Sequence, residues 1–125
     1  MKAIRVHRCG GPEAMRLDDL PLPTPGPGQV LAQVKAAGIN LFDTQLRSGL
    51  YRRELPLTLG LEGAGIIEAL GAGVADIVAD MAAGDRVAFI FAAGAYATHT
   101  LAAAERVVPL PDNVGFEEAA AVLFQ

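Results

Sequence analysis

A phenol, two carboxylates and an amide lie between residues 40 and 62 and could act on a small molecule: Tyr51, Asp43, Glu62 and Asn40. Tyr51 is a candidate to contact a substrate, because its ring offers an apolar face to a flat molecule and its hydroxyl donates a hydrogen bond to a carbonyl oxygen. The alternative is a loop tyrosine that half-covers the core. Phe42 could line the same pocket or belong to the core, and Glu62 is expected to orient local backbone groups or an arginine.

Asn40 and Asp43 have the spacing of a capping box, in which an asparagine begins a helix and an acidic residue three positions later bonds back to it. Asp43 is also expected to pair with Arg47 one turn later, and Gly49 is typical of the position just past a helix end. The pattern therefore predicts a short helix between Asn40 and Gly49. By this reasoning alone, the two polar residues could do no more than cap and brace that helix.

The composition limits the classes of function. The chain has 125 residues, of which 52% are apolar, so it is long enough to bury the core of one globular domain. The net charge of −4 and the scattered basic residues exclude nucleic acid and anionic membranes as main partners. Cys9 is the only cysteine, which excludes a cysteine-rich zinc cluster. The chain shows neither a signal-peptide pattern nor an apolar window of transmembrane length, so we expect a cytoplasmic protein.

Most of the chain is expected to form short β-strands separated by glycine and proline. Apolar runs predict strands over residues 3–8, 14–20, 29–37, 61–70, 86–91, 96–101 and 106–110. Between the second and third of these strands, four prolines at every second position favour an extended connector. This spacing of strands indicates a mainly β domain, either a barrel or a sandwich.

The glycines at positions 60, 63 and 65 resemble a dinucleotide-binding motif only superficially. Such a motif needs a third small residue and a helix that opens under the pyrophosphate. Here Glu68 occupies the third position, and Ile66 and Ile67 continue a strand. We therefore expect these glycines to let the backbone bend and pass close to a neighbouring strand.

The last residues differ from the rest of the chain. Gly115 can begin a helix with Glu118 as its third residue, and residues 119–124 that follow are entirely apolar. A helix without a polar face must be buried on most of its sides. We therefore expect one domain over residues 1–114 and, over 115–125, the start of a helix that leads into a second, absent domain.

In residues 40–62 and 84–87 the chain resembles the medium-chain dehydrogenase/reductase superfamily. The residues from Asn40 to Tyr51 match the Asn-x-x-Asp-x-x-x-Arg-x-Gly-x-Tyr pattern of its quinone oxidoreductases, and Gly60-Leu61-Glu62 and Gly84-Asp85-Arg86-Val87 follow. A catalytic zinc typically needs thiolate and imidazole ligands. The zinc alcohol dehydrogenases of this superfamily have Cys at the position of Asn40 and His at that of Leu61. Its zinc-free, zeta-crystallin-like quinone oxidoreductases have Asn at the first position and no His at the second.

The resemblance covers essentially the whole chain and implies a GroES-like, partly open β-barrel with short helices, a catalytic domain without its Rossmann domain. It implies zinc-free hydride transfer from NADPH to a quinone or a similarly activated carbonyl compound. Asn40 and Tyr51 would be the catalytic hydrogen-bond donors. Asn40, Phe42 and Asp43 would contact the cofactor, which would bind mainly to the absent domain, and no residue would bind a metal.

The resemblance also implies a homodimer for the full-length reductase, and residues 1–125 alone are expected to be inactive. Two alternatives stay open. One is an enoyl-thioester or enone reductase of the same superfamily, which shares the zinc-free barrel. The other is a non-catalytic GroES-like barrel used for binding or assembly, similar to the chaperonin cap.

Overall fold

A computed structural model describes residues 1–124, which form eight strands and three short α-helices. The strands are Lys2–Val6 (β1), Met15–Asp19 (β2), Gln29–Ala37 (β3), Leu57–Thr58 (β4), Glu62–Leu70 (β5), Arg86–Ile90 (β6), His99–Ala103 (β7) and Val107–Pro109 (β8). The α-helices are Leu41–Ser48 (α1), Val74–Ile77 (α2) and Phe116–Ala119 (α3), and 3-10 turns cover Pro12–Ala14 and Ala104–Arg106. None of the helices within residues 1–124 is long and apolar enough to cross a membrane.

The strands form two antiparallel sheets. The smaller has the order β2-β1-β4 and the larger has the order β7-β3-β5-β6-β8. Thr98 joins the sheets, because its carbonyl accepts from the Val34 N–H of β3 over 2.9 Å and its N–H donates to the Lys2 carbonyl of β1 over 2.8 Å. Both strand orders are linear, so neither sheet closes on itself within the described residues. The predicted mainly β architecture is confirmed.

The centre of the larger sheet is the pair β3 and β5, and glycines allow the two strands to approach. Their register shifts between Leu31 and Ala32 and again between Val34 and Ala36. A Cβ added at Gly65 would lie 2.9 Å from the carbonyl carbon of Gln33, which is closer than real Cβ contacts. β5 runs without a break through the glycine-rich segment, which confirms that this segment is a bent strand rather than a phosphate-binding turn.

Of three hydrophobic clusters, one packs Ala64 and Ala88 against Ala119 and Ala120, and the other two, a larger and a smaller, pack against the sheets. The larger cluster lies on the five-stranded sheet and includes Val30, Ala32, Ile67, Val87 and Phe89. The smaller contains Val6, Ala14, Leu46 and Leu59, with Phe42, Leu61 and Tyr96 packed against it. Because Leu46 belongs to this second cluster, α1 is fixed against the smaller sheet.

Helix α1 begins and ends where the local pattern predicts. Asn40 is its N-cap with extended backbone, and Gly49 is its C-cap with a φ of 87°, in the left-handed region that glycine adopts most readily. The predicted ion pair between Asp43 and Arg47 is wrong: no such pair occurs within residues 1–124. Arg47 instead donates from Nε to the Gly10 carbonyl over 3.3 Å, and Asp43 turns inward.

The segment at the end of the chain forms less helix than the sequence predicts. Gly115 is the N-cap of α3 and Glu118 is its third residue, as expected, but the helix ends at Ala119 and residues 120–124 continue as turns. Ala119 and Ala120 are buried, whereas Val122 is 61% exposed. The backbone N–H groups of Leu123 and Phe124 bond to the buried Glu62 carboxylate rather than to helical carbonyls.

Gly60 is a position where the fold requires glycine. Its φ is 99°, and an added Cβ would lie 2.6 Å from the Tyr96 backbone nitrogen. We therefore expect Gly60→Ala to lower the free energy of unfolding by about 2–4 kcal/mol, since it combines left-handed strain with a backbone clash. Urea unfolding followed by circular dichroism measures this change.

Gly115→Ala is the matched control. Its φ is −77° and the nearest atom to an added Cβ is 4.0 Å away, so we expect a change within about 0.5 kcal/mol. Equal stability of the two variants would contradict the structural requirement at Gly60.

Candidate active site

Glu62, the first residue of β5, is a buried carboxylate at the junction of three segments. Glu62 is 1% exposed. Oε1 accepts a hydrogen bond from the Asn40 side-chain amide over 3.0 Å, and Oε2 accepts from the backbone N–H groups of Leu123 and Phe124 over 3.1 and 3.0 Å. A buried carboxylate is costly unless it is hydrogen-bonded. Glu62 therefore links the start of α1, the strand β5 and the end of the chain.

Gly38 provides the space for this carboxylate. The Gly38 N–H donates to the Glu62 carbonyl over 3.0 Å, which brings the two backbones together. A Cβ at Gly38 would lie 2.6 Å from the Glu62 Cγ and would also overlap the Ala120 carbonyl oxygen. The close approach of Glu62 and the terminal segment therefore depends on a residue without a side chain.

Asp43 is a second buried carboxylate and lies on the other side of Asn40. It is 3% exposed and accepts three hydrogen bonds. The Asn40 N–H and the Tyr96 hydroxyl donate to Oδ2 over 3.1 and 3.0 Å, and the Gly60 N–H donates to Oδ1 over 3.1 Å. The acidic half of the predicted capping box is therefore confirmed, and the same carboxylate also anchors the connection between β4 and β5.

Burial is the largest cause that raises the pKa of the Tyr96 phenol above its usual value, and the charge of Asp43 and its hydrogen bond add to the effect. Sequence reasoning did not identify Tyr96 as part of the site. It is separated from Asp43 by 53 positions, so no local pattern could connect the two residues.

Asn40 is fixed by hydrogen bonds at its backbone and at its side chain. Asp43 accepts from its backbone N–H, and Glu62 accepts one of the two hydrogens on its side-chain nitrogen. The second hydrogen is the donor that a ligand can use. Asn40 also lines a groove of about 190 Å³ whose other lining residues include Ile39, Thr44 and Tyr96. The orientation of its amide is thus set before any ligand binds.

Four aromatic side chains form a continuous row beside this site: Tyr51, Phe42, Phe124 and Phe91. Neighbouring ring centroids are 5.1 Å apart for Tyr51 and Phe42, 6.3 Å for Phe42 and Phe124, and 6.0 Å for Phe124 and Phe91. Tyr51 is 47% exposed and Phe91 is 51% exposed. These distances are typical of aromatic pairs. The aromatic row therefore offers a partly open apolar surface to a flat molecule.

Phe91 follows β6 and has unusual backbone geometry. Its φ is 53°, in the left-handed region that bulky side chains rarely adopt. Such strain costs on the order of 1–3 kcal/mol and is found mostly where function requires it. Sequence reasoning placed Phe91 at the end of a strand and missed its role in the row, because the residue sequence alone gives no signal for a positive φ at a phenylalanine.

The four site residues predicted from the sequence fall into two contact pairs. Asn40 bonds to Asp43, and Phe42 packs on Tyr51; within residues 1–124 no hydrogen bond joins Tyr51 to Asn40. The last segment connects the pairs, because Phe124 donates its N–H to Glu62 and packs its ring on Phe42. The site is therefore an amide donor linked through Glu62 and Phe124 to an aromatic surface.

The described residues contain no group of three or more histidine, cysteine, aspartate or glutamate side chains that could bind a metal ion. Leu61, which immediately precedes Glu62, is half-buried and packs against the smaller hydrophobic cluster. Asn40 and Leu61 offer neither a thiolate nor an imidazole. Of the two side chains, only Asn40 can hydrogen-bond to a ligand.

Comparison with known proteins gives consistent matches. The family of alcohol dehydrogenase GroES-like domains matches residues 26–112. A quinone oxidoreductase of Sus scrofa is 43% identical over 126 aligned positions, which cover 98% of this chain and 37% of the relative. A quinone oxidoreductase of Pseudomonas aeruginosa is 42% identical, with coverage of 99% and 38%. The chain thus spans little more than a third of the length of these relatives.

Solved structures agree with the sequence matches. A mycobacterial quinone oxidoreductase superposes with a TM-score of 0.95 at 45% identity, over 99% of this chain and 38% of that one. The quinone oxidoreductase of Escherichia coli complexed with NADPH superposes with a TM-score of 0.91 at 38% identity, over 98% of this chain and 37% of that one. These likenesses confirm the GroES-like, partly open barrel that the sequence predicts.

Glu62→Gln tests the junction. Glutamine has nearly the same shape, but its NH2 group must face at least one of the three N–H donors from which the carboxylate accepts hydrogen bonds. We therefore expect the free energy of unfolding to fall by about 1–3 kcal/mol. The amides of Leu123 and Phe124 should lose protection from hydrogen exchange, as measured by NMR. Glu105→Gln, at an exposed position, is the control. Unchanged protection in Glu62→Gln would contradict the assigned role.

Tyr96→Phe tests the bond to Asp43 through its dependence on pH. The folded chain retains the phenol proton above pH 10, the usual pKa, where the unfolded chain loses it. The stabilisation by Tyr96 is therefore complete below about pH 10 and is lost as the pH rises further. We expect Tyr96→Phe to be less stable than the unaltered chain by about 1 kcal/mol at pH 8, with a gap that narrows above pH 10. Urea unfolding at each pH measures this difference in the free energy of unfolding. A difference that grows above pH 10 would contradict the prediction.

Proposed function

Since the chain belongs to the family of alcohol dehydrogenase GroES-like domains, in the quinone oxidoreductase branch of the medium-chain dehydrogenase/reductase superfamily, we propose that it is the N-terminal catalytic domain of an NADPH-dependent quinone oxidoreductase. The domain comprises residues 1–114, and residues 115–125 begin the connection to a nucleotide-binding domain. One observation carries the proposal: the buried Glu62 carboxylate binds both the Asn40 side-chain amide and the backbone N–H of Phe124, whose ring belongs to the aromatic row.

The residues on this surface fit a nicotinamide and a quinone. Both ligands present flat rings, and the half-exposed faces of the aromatic row suit such rings. Asn40 and Phe42 would contact the cofactor, with Asp43 buried behind Asn40 and bonded to its backbone. NADPH, when bound, supplies a hydride. The main part of its binding surface would belong to the nucleotide-binding domain.

Asn40 and Tyr51 would stabilise negative charge on the substrate oxygen. Asn40 offers the second hydrogen of its side-chain nitrogen, and Tyr51 offers its hydroxyl. Because Glu62 already fixes the amide, little reorganisation is needed when charge develops, which is the main source of such electrostatic stabilisation. Two hydrogen bonds stabilise an oxyanion less than a metal does, so this site suits substrates whose reduced form is itself stable, such as hydroquinones.

Zinc takes no part in the proposed reaction, because Asn40 and Leu61 stand where the zinc enzymes of the superfamily have Cys and His. The cytoplasmic location and the homodimeric state of the full-length reductase stay predictions from the sequence.

The test uses the full-length reductase with NADPH and a substrate panel of quinones, an enone and an enoyl thioester. We expect quinones to be reduced fastest, and Asn40→Ala to lower kcat/KM by about 10- to 100-fold through loss of one donor. Tyr51→Phe should lower kcat/KM by a smaller factor, about 3- to 10-fold, since its exposed hydroxyl is less well oriented.

Ser48→Ala is the control, because Ser48 lies at the exposed end of α1 and, within residues 1–124, its hydroxyl bonds only to the Gln45 carbonyl. We expect it to retain full activity. Preference for the enoyl thioester would favour the related reductase instead. About one zinc ion per chain, together with loss of activity on chelation, would overturn the zinc-free reaction.

A further inference from the structure

A guanidinium group lies at one end of the aromatic row. The Arg106 Cζ is 5.0 Å from the centroid of the Phe91 ring, and Phe91 packs edge-on against Phe124. Arg106 ends the 3-10 turn before β8 and is exposed. Stacking on an aromatic face fixes the plane of a guanidinium while its N–H groups at the edge remain able to donate.

Arg106 has no ion-pair or side-chain hydrogen-bond partner among the described residues 1–124. Within residues 1–124 the ion pairs are Lys2–Asp19, Arg5–Asp18, His7–Asp18 and His99–Glu68, and no hydrogen bond from the Arg106 side chain is present. Arg86 shows the contrast. It stacks on Phe116 at 4.7 Å but also donates to the carbonyls of Pro111 and Val114 over 3.2 and 2.7 Å, so its donors are used to fix the backbone.

The backbone of Phe91 adds an independent observation. Its positive φ is a strained conformation at a bulky residue, and the ring that it carries connects the row to Arg106 while remaining 51% exposed. An exposed ring in a strained backbone gains little from burial. The strain is more readily explained by the position that it gives the ring and the guanidinium above it.

We propose that Arg106 binds an anionic substituent, a carboxylate or a sulfonate, at the edge of an aromatic quinone whose rings lie on the aromatic row. The proposal rests on the proposed quinone reductase function and specifies its substrates further. The planar fork of an arginine matches the paired oxygens of these anions. The rings supply apolar contact for the flat part of the molecule, and among residues 1–124 Arg106 supplies the only cationic stacking contact with the row.

The net charge of the chain does not prevent such binding. At −4 it repels an approaching anion, but at 0.15 M ionic strength charges more than about 8 Å away are largely screened. The contact with Arg106 is local and therefore dominates. Because the guanidinium is exposed, we expect a moderate effect, about a five- to tenfold gain in affinity over an uncharged quinone.

The test measures binding to the 125-residue chain by NMR, and so does not depend on turnover. The probes are anthraquinone-2-sulfonate and the uncharged 2-(hydroxymethyl)anthraquinone, and NADPH affinity is measured separately on the full-length reductase. We expect both quinones to shift resonances of Phe42, Tyr51 and Phe91, and the sulfonate to bind about five- to tenfold more tightly. Arg106→Gln should remove this preference, and Arg106→Lys should retain part of it, since the charge remains without the stacked fork.

Arg16→Gln, which removes the same charge from the exposed strand β2, is the matched control and should leave the preference unchanged. Equal affinities of the two quinones, or an equal loss in Arg16→Gln, would overturn the role of Arg106 while leaving the reductase proposal intact. In the full-length reductase, a loss of NADPH affinity in Arg106→Gln, with the quinone preference of residues 1–125 unchanged, would assign the guanidinium to the cofactor and also overturn the role of Arg106. If neither quinone binds, the aromatic row is not a substrate surface, and both proposals are contradicted.

Discussion

The geometry of the candidate site depends on the burial of the Glu62 carboxylate. A buried carboxylate is tolerated only where donors surround it, and here the donors come from the start of α1 and from two amides at the end of the chain. Each of these segments is therefore positioned by the same group. Glu62 fixes the orientation of the Asn40 side chain and the positions of the turns after α3 and of the Phe124 ring. Gly38 leaves the space that the Glu62 side chain occupies.

Asp43 complements Glu62 and completes the constraint on Asn40. One carboxylate bonds to the backbone of Asn40 and the other to its side chain, so neither the helix start nor the amide can rotate without leaving a buried acceptor unpaired. A donor fixed in this way before a ligand binds is what a hydrogen-bonding catalytic site requires. The strained backbone of Phe91 suggests that the aromatic row is likewise fixed in advance, at a cost that the surrounding strands must offset.

Local physical chemistry was enough to predict the elements that carry the site. The alternation of apolar residues gives β3 its observed bounds, and the capping pattern gives α1 its observed start and its glycine end. Local reasoning was wrong where a tertiary partner competed with a local one. Asp43 was expected to pair with Arg47 along the helix, but Gly60 and Tyr96 bind it instead, since a buried acceptor with three donors is more stable than an exposed ion pair. The helix expected over residues 120–124 is interrupted for the same reason.

The sequence by itself determined the residue types: an amide and a leucine where a zinc enzyme would need a thiolate and an imidazole, and a pattern up to Tyr51 that identified the superfamily. It also determined the strands, because their periodicity is a property of neighbouring residues. Only the tertiary structure decided which groups meet. Tyr96, Phe91, Phe124 and Arg106 join the site from distant parts of the chain, and contacts between distant residues depend on how the two sheets pack and where the backbone bends. Neither is encoded in any short segment, so the role of these side chains follows from the fold alone.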